Sequence, residues 1–456
     1  MSQPTSKTHS PNDVPPSVLR RAIGASAIGN AVEWFDYGVY AYLTTHIAAS
    51  LFPEDSNGVL YTLVGFALSF LIRPIGGLFW GPLGDRIGRK RVLAMTIILM
   101  ASSTLFIGLI PSYESIGIWA PILLYASRIV QGFSAGGEYG GAATFMAEYA
   151  PDNKRGFYGS FLEVGTLSGF VLGNSIALLL VNVLDEHAME TWGWRLPFYV
   201  AAPLGLIGMY LRNRMEDTPI FRELEEKQAT EDEVTGVFKD LLTKYLRCVL
   251  ILFGLVIALN VVNYTLLSYM PTYLQTTLDM EESDALLVPL FGQIAMLVTL
   301  PFFGRLSDRI GRRPMWLFSC AALVVAVIPM YMLIGTNLAG AIIGFAVLGL
   351  LYAPQLATIS ATFPAMFPTI VRFAGVAIGY NVATSLFGGT ASAINESLIG
   401  ATGNNLIPAF YMLGACLIGI VSAYFLIETK GMSLRGTEVP GTPEAIEEQK
   451  QLVAQG

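Results

Sequence analysis

The chain has 456 residues, 53% of them hydrophobic and only 13% charged, with a formal net charge of −7 at pH 7. A soluble domain carries about 25% charged residues, so this composition excludes one. The acidic excess sits in a central loop and the C-terminal tail, and it points to no nucleic-acid partner. Apolar runs long enough to cross about 30 Å of hydrocarbon as helices recur along the chain, and the short alternating strands of a membrane barrel are absent.

In chain order, residues 1–21 read as a polar tail without a signal core or cleavage site. The first span, near 22–50, is then expected to be an uncleaved anchor. It carries Glu33, Trp34, Asp36, Tyr37 and Tyr40. At the α-helical rise, Glu33 and Asp36 lie about 18–23 Å in from Arg21. Carboxylates at that depth are costly unless they face a partner or a water-filled cavity. Their i, i+3 spacing puts them on one face. The second span, near 57–83, carries Arg73 at a similar depth. The loop after it reads Gly81-Pro-Leu-Gly-Asp85-Arg86-Ile-Gly88-Arg89-Lys90. A third span follows near 90–111. The fourth, near 117–148, carries Arg128, Gln131, Glu138 and Tyr139. The fifth, near 157–183, carries Glu163, and the sixth lies near 193–213.

A charged linker at 214–243 precedes six further spans, near 245–275, 285–306, 313–334, 338–366, 372–399 and 405–427. The seventh holds Asn260, Asn263, Tyr264 and Tyr269. Between the eighth and ninth stands Gly304-Arg-Leu-Ser-Asp308-Arg309-Ile-Gly311-Arg312-Arg313. This is the ten-residue loop pattern again, at the equivalent place in a second set of six. The fold class is therefore an all-α membrane protein of twelve helices in two six-helix bundles, 22–213 and 244–428. The tail, 429–456, has one short helix signal, with Thr442 as cap and Pro443 at the first position, and no sustained heptads.

Basic residues concentrate on alternate connections, which places both termini in the cytoplasm. Duplicated bundles put a substrate site at their interface, near mid-membrane. Asp85, Arg86, Arg89, Asp308, Arg309 and Arg312 then form cytoplasmic loops far from that site. They serve either as a gate latch or as topogenic and structural loops. Paired acids at mid-depth can take up and release protons, and His9, His46 and His187 all lie away from it. Glu33, Asp36, Glu138 and Glu163 are thus candidates for proton coupling, the alternative for each being an ion pair that fixes helix packing. Arg73 is the candidate for a substrate carboxylate, or else pairs with Asp36 as scaffold. Trp34, Tyr37, Tyr40, Tyr139 and Tyr264 make either a cage for a quaternary ammonium group or ordinary packing. Asn260 and Asn263 offer hydrogen bonds from a second half that otherwise carries almost no mid-membrane charge. Cys248, Cys320 and Cys416 are isolated, so neither a disulfide framework nor a metal site is expected. No nucleotide loop, metal cluster or nucleophile constellation marks an enzyme.

The duplicated loop motif resembles that of the major facilitator superfamily, and Arg128-Ile-Val-Gln131-Gly132 is similar to its second motif. Glu33-Trp34-Phe35-Asp36, Arg73-Pro74-Ile75-Gly76-Gly77 and Gln131-Gly-Phe-Ser-Ala-Gly-Gly137-Glu138-Tyr139 resemble the metabolite:proton symporter family, which carries proline, betaine, 2-oxoglutarate, citrate and shikimate. Stretches such as Gly254-Leu-Val-Ile-Ala-Leu-Asn260 and Leu267-Ser-Tyr-Met-Pro-Thr-Tyr273 are similar to its proline/betaine branch. The resemblance implies a structural role for Arg128. It also implies proton-coupled symport of a zwitterionic osmolyte across a bacterial inner membrane, with the proton as coupling ion, no cofactor, and a monomer as the functional unit. A carboxylate:proton symporter and a non-transporting sensor are the alternatives.

Overall fold

The computed structural model describes the backbone of residues 16–213 except 88 and 137, and of 240–455 except 242, 435 and 437. At some helical positions, Asp85, Arg86, Arg89, Glu138 and Tyr139 among them, it describes the backbone alone. The expected linker at 214–243 lies almost wholly outside the described residues.

The helices are α1 Pro16–Tyr42, α2 Thr44–Leu51, α3 Gly58–Leu71, α4 Arg73–Ile87, α5 Arg89–Leu109, α6 Tyr113–Ile116, α7 Trp119–Ser134, α8 Glu138–Tyr149, α9 Arg155–Val183, α10 Glu186–Thr191 and α11 Leu196–Asn213. They continue with α12 Leu246–Asn263, α13 Met270–Thr276, α14 Glu282–Ile310, α15 Arg312–Ile334, α16 Leu338–Thr362, α17 Thr369–Phe387, α18 Thr390–Thr402, α19 Ile407–Phe425 and α20 Pro443–Gln455. A π-helix, Tyr264–Tyr269, joins α12 to α13. No strand occurs among the described residues.

Seven runs among the described residues are long and apolar enough to cross a bilayer: Gly58–Trp80, Asp152–Val183, Leu246–Thr276, Glu282–Ile310, Arg312–Ile334, Leu338–Thr362 and Ile407–Phe425. The other expected spans are helical too, but polar or interrupted. α1 carries Glu33 and Asp36. α5 opens on Arg89, Lys90 and Arg91, so its apolar part is Met95–Leu109. α17 and α18 are separated at Gly388 and Gly389. Outward faces are apolar: Val298 and Val325 are 73% and 77% exposed, as a lipid-facing surface requires.

α9 is central, packing along α1 and also against α14 and α16. Within hydrocarbon such contacts depend on close approach and hydrogen bonds rather than on the hydrophobic effect. Gly169 supplies the approach: a β-carbon there would lie 2.8 Å from the Phe35 nitrogen. Asn30 supplies the bonds, its Nδ2 donating to the Leu162 carbonyl at 2.9 Å and to Thr166 Oγ1 at 2.6 Å. α12 packs on α17 and α19, and α5 on α7 and α11. The tail helix starts where the cap signal predicts, with Pro443 first and the Ala445 amide donating to Thr442 Oγ1 at 3.3 Å.

Candidate functional site

Several helix interruptions surround one buried polar core. Arg73 opens α4 directly after the join with α3. Arg128 lies on α7 just ahead of the α7–α8 break. The π-helix begins with Tyr264, and the α17–α18 break packs on the same rings. Interrupted helices leave backbone and side-chain groups free to face a ligand at membrane depth.

The structure brings Glu33, Trp34, Asp36, Tyr37, Tyr40, Arg73, Arg128 and Tyr264 into this core, all of them buried. Arg73 and Asp36 form no ion pair. Asp36 Oδ2 instead accepts from Thr104 Oγ1 at 3.0 Å. Thr104 Oγ1 accepts from Gln131 Nε2 at 3.0 Å. Gln131 Oε1 accepts in turn from Arg128 Nη1, and Arg128 Nη2 donates to Ser69 Oγ at 3.1 Å. Asp36 and Arg128 are thus joined through two neutral side chains. Such a relay lets the charge state of one end alter the hydrogen bonding of the other. Glu33 lies within electrostatic range of Asp36, Arg73 and Tyr264. Glu33 and Asp36 both line a crevice between α1, α5 and α11, floored by Gly29, Gly205 and Gly208.

The aromatic side chains form a continuous cluster. Phe70 lies 5.1 Å from Tyr37 and 5.0 Å from Tyr264 between ring centroids, and Trp34 lies 6.2 Å from Tyr264. The protein's own guanidinium groups already occupy part of it. Arg73 Cζ is 4.2 Å from the Phe70 centroid and 4.9 Å from that of Tyr37. Arg128 Cζ is 4.0 Å from Tyr40, whose hydroxyl donates to the Thr62 carbonyl at 2.8 Å. Arg73 Nε and Nη2 and the Tyr264 hydroxyl are buried without hydrogen-bond partners among the described residues, and the Tyr37 hydroxyl interacts with the Arg73 guanidinium. Buried donors of this kind are rare because each costs its full desolvation.

Asn260 sits one turn before Tyr264 and Asn263 directly before it, engaged with Thr384 Oγ1 at 2.8 Å and the Tyr352 hydroxyl at 3.1 Å. Glu163, on α9, is buried within electrostatic range of Tyr352, which is itself in range of Tyr264. Glu138 and Tyr139 open α8, and their side chains lie outside the described residues. Thr104, Ser69, Phe66 and Phe70 join the core without having been singled out from the sequence. Only Phe66 and Phe70 carried a signal there, four residues apart on the helix face leading to Arg73.

Each end of the bundle is closed by hydrogen bonds. At the end with the repeated loops, Asp308 accepts the Gly156 and Phe157 amides at 2.8 and 2.9 Å and pairs with Arg312 at 2.7 Å. Glu428 accepts the Arg312 and Arg313 amides, both at 3.0 Å. The positive φ of 107° at Gly311 brings this turn against the Glu428 carboxylate. Arg155 pairs with Asp152 and donates to the Met432 carbonyl at 3.1 Å. The Arg309 carbonyl accepts from Lys430 Nζ at 2.5 Å. Asp85, Arg86 and Arg89 fall on α4 and α5, with side chains outside the described residues. At the opposite end, His46 meets Glu282 at 2.6 Å, Gln293 donates to the Tyr42 hydroxyl at 2.8 Å, and Asn174 donates to the Leu286 carbonyl at 3.0 Å. Several of these bonds tie the first half of the chain to the second. Cys248, Cys320 and Cys416 are free thiols. Among the described residues no group of three or more His, Cys, Asp or Glu side chains could hold a metal ion.

A bundle of apolar helices, interrupted around a buried core of acids, guanidiniums and aromatic rings, has the make-up of a membrane transporter. The chain belongs to the Major Facilitator Superfamily, whose family model matches residues 27–393. It is 42% identical over 448 residues to the proline/betaine transporter of Escherichia coli (strain K12), covering 96% of this chain and 89% of that one. It is 43% identical over 427 residues to the glycine betaine/proline/ectoine/pipecolic acid transporter OusA of Dickeya dadantii (strain 3937), covering 92% of this chain and 85% of that one. Its fold is similar to that of the proton:xylose symporter XylE bound to 6-bromo-6-deoxy-D-glucose, with a TM-score of 0.71 and 18% identity over 92% of this chain and 98% of that one.

Proposed function

We propose that this protein is a secondary active transporter, not an enzyme, that carries a zwitterionic osmolyte of the proline, betaine and ectoine class together with protons. It works by alternating access between two six-helix bundles, 22–213 and 244–428, joined by the 214–243 linker. The relatives' substrates support the class, and the core supplies groups that suit it. The observation that carries the reading is Arg73. Its buried Nε and Nη2 have no hydrogen-bond partner among the described residues, and the Tyr37 and Tyr264 hydroxyls lie within electrostatic range of its guanidinium. A carboxylate taken out of water needs such donors. The substrate's cationic end then meets the rings of Trp34 and Tyr264. Tyr139, Asn260 and Asn263 complete the proposed substrate shell, and Tyr40 acts as the ring beneath Arg128.

Proton coupling is assigned to Glu33, Asp36, Glu138 and Glu163. Protonation of Asp36 removes the charge that orients Thr104, and through Gln131 it loosens Arg128. Asp85, Arg86 and Arg89 together with Asp308, Arg309 and Arg312 gate the cytoplasmic end. Lys and Arg on alternate connections support that orientation, with both termini cytoplasmic and the protein in a bacterial inner membrane. His46, Tyr42 and Asn174 close the outer end. The functional unit is a monomer. The test is uptake by purified protein in proteoliposomes under an imposed pH gradient, offering glycine betaine, proline, ectoine, 2-oxoglutarate and citrate. Accumulation of the zwitterions is expected. Uptake of the carboxylates alone would overturn the substrate assignment, and binding without uptake would mark a sensor.

A further inference from the structure

Glu396, on α18, is a carboxylate of the second half that the charge pattern of the sequence left unassigned. The Tyr269 hydroxyl donates to Glu396 Oε2 at 2.6 Å. One residue earlier Asn395, buried, donates from Nδ2 to Thr265 Oγ1 at 3.3 Å. Thr265 and Tyr269 are the second and the last residues of the π-helix, so α18 grips it near both ends. A π-helical turn is rare and is frequently found at functional sites.

The winding matters because of its first residue. Tyr264 lies between Phe70 and Trp34, with its hydroxyl unbonded and its carboxylate neighbour Glu33 within electrostatic range. The start of α18 is fitted to the same ring: a β-carbon on Gly388 would lie 2.8 Å from Tyr264 Cε2. If residues 264–269 were wound as ordinary α-helix, Tyr264 would turn relative to Tyr269. The two could not then keep the Phe70 contact and the Glu396 bond together.

We infer that Glu396 and Asn395 are positioning residues for substrate recognition, holding residues 264–269 in the π-helical winding that keeps Tyr264 in the aromatic core. The inference rests on the assignment of Tyr264 to the substrate site. Glu396 acts as a hydrogen-bond acceptor, and the glutamine side chain keeps an acceptor oxygen.

The experiment compares wild type with Tyr269→Phe, Glu396→Ala, Glu396→Gln and Asn395→Ala, each as purified full chain in proteoliposomes. Tyr269→Phe and Glu396→Ala are expected to raise the glycine betaine KM by about fivefold or more with little change in Vmax. Glu396→Gln restores most of the affinity, and Asn395→Ala shows a smaller rise. Hydrogen exchange of the backbone amides in 264–270, measured without substrate, speeds up in Tyr269→Phe and Glu396→Ala but not in Glu396→Gln. Tyr269→Phe removes one hydroxyl from a buried site and is the variant least exposed to misfolding. Unchanged KM and unchanged exchange in that variant overturn the inference. So does a Glu396→Gln variant as impaired as Glu396→Ala, because charge rather than an acceptor oxygen would then be needed. A wild-type protein that accumulates no zwitterion fails the functional reading instead, and the exchange measurement still decides the clamp.

Discussion

Asp308→Asn tests the proposed cytoplasmic latch. The Asp308 carboxylate accepts two amides at the start of α9 and is bound by Arg312. The two helices meet closely, since a β-carbon on Gly156 would stand 2.9 Å from Asp308 Oδ1. Asparagine keeps one acceptor oxygen, loses the charge, and turns an amide donor toward groups that are themselves donors. A hydrogen bond to a charged group contributes about 1.5–3 kcal/mol, and an anion at a helix N-terminus adds about 0.3–1 kcal/mol. Removing one such bond and the dipole contribution weakens the contact between α9 and α14 by about 2–4 kcal/mol. At 1.4 kcal/mol per decade the ratio of open to closed then rises about 30- to 700-fold. Spin labels on the cytoplasmic ends of α9 and α14 should therefore report longer distances in the variant. Turnover should fall, while substrate Kd on purified protein stays within a few fold, because Arg73 and the aromatic core are untouched. Asp85→Asn is expected to act in the same direction. Lost binding in a folded variant, or unchanged distances with full turnover, would refute the latch.

The remaining predictions concern the core. An inward pH gradient should drive substrate accumulation and a protonophore should abolish it; sodium-dependent accumulation insensitive to pH contradicts proton coupling. Glu33→Gln and Glu138→Gln keep size and hydrogen bonding but cannot titrate, so they should lose uphill accumulation while exchange partly survives. If both accumulate like wild type, the role moves to Asp36 or Glu163. Arg73→Lys keeps the charge and loses the planar fork, and substrate affinity should fall about tenfold or more on losing a charge-assisted bond. Were Arg73 scaffold alone, the same variant would melt at lower temperature with an unchanged Kd in the folded fraction.

Much of this molecule is legible along the chain, because one helix obeys one periodicity. Apolar length and basic loops mark the segments, the duplicated loop marks the repeat, and the rise per residue sets Glu33, Asp36, Arg73 and Arg128 at a common depth. Thr442 and Pro443 mark the tail helix because a cap is a local matter of one hydroxyl and a few amides. Depth and face on one helix say nothing of which neighbour that face meets. Only tertiary packing turned Asp36 toward Thr104 rather than Arg73, with Gln131 and Arg128 beyond it. Packing also placed Arg73 over Phe70 and Arg128 over Tyr40. The π-helical winding at Tyr264–Tyr269 has no local sequence signal, since its six residues are compatible with an ordinary helix. Its supports, Asn395 and Glu396, lie more than a hundred residues away on another helix. The chain's own periodicity decides what a helix can present, and the lateral arrangement of its neighbours decides which of those groups become a site.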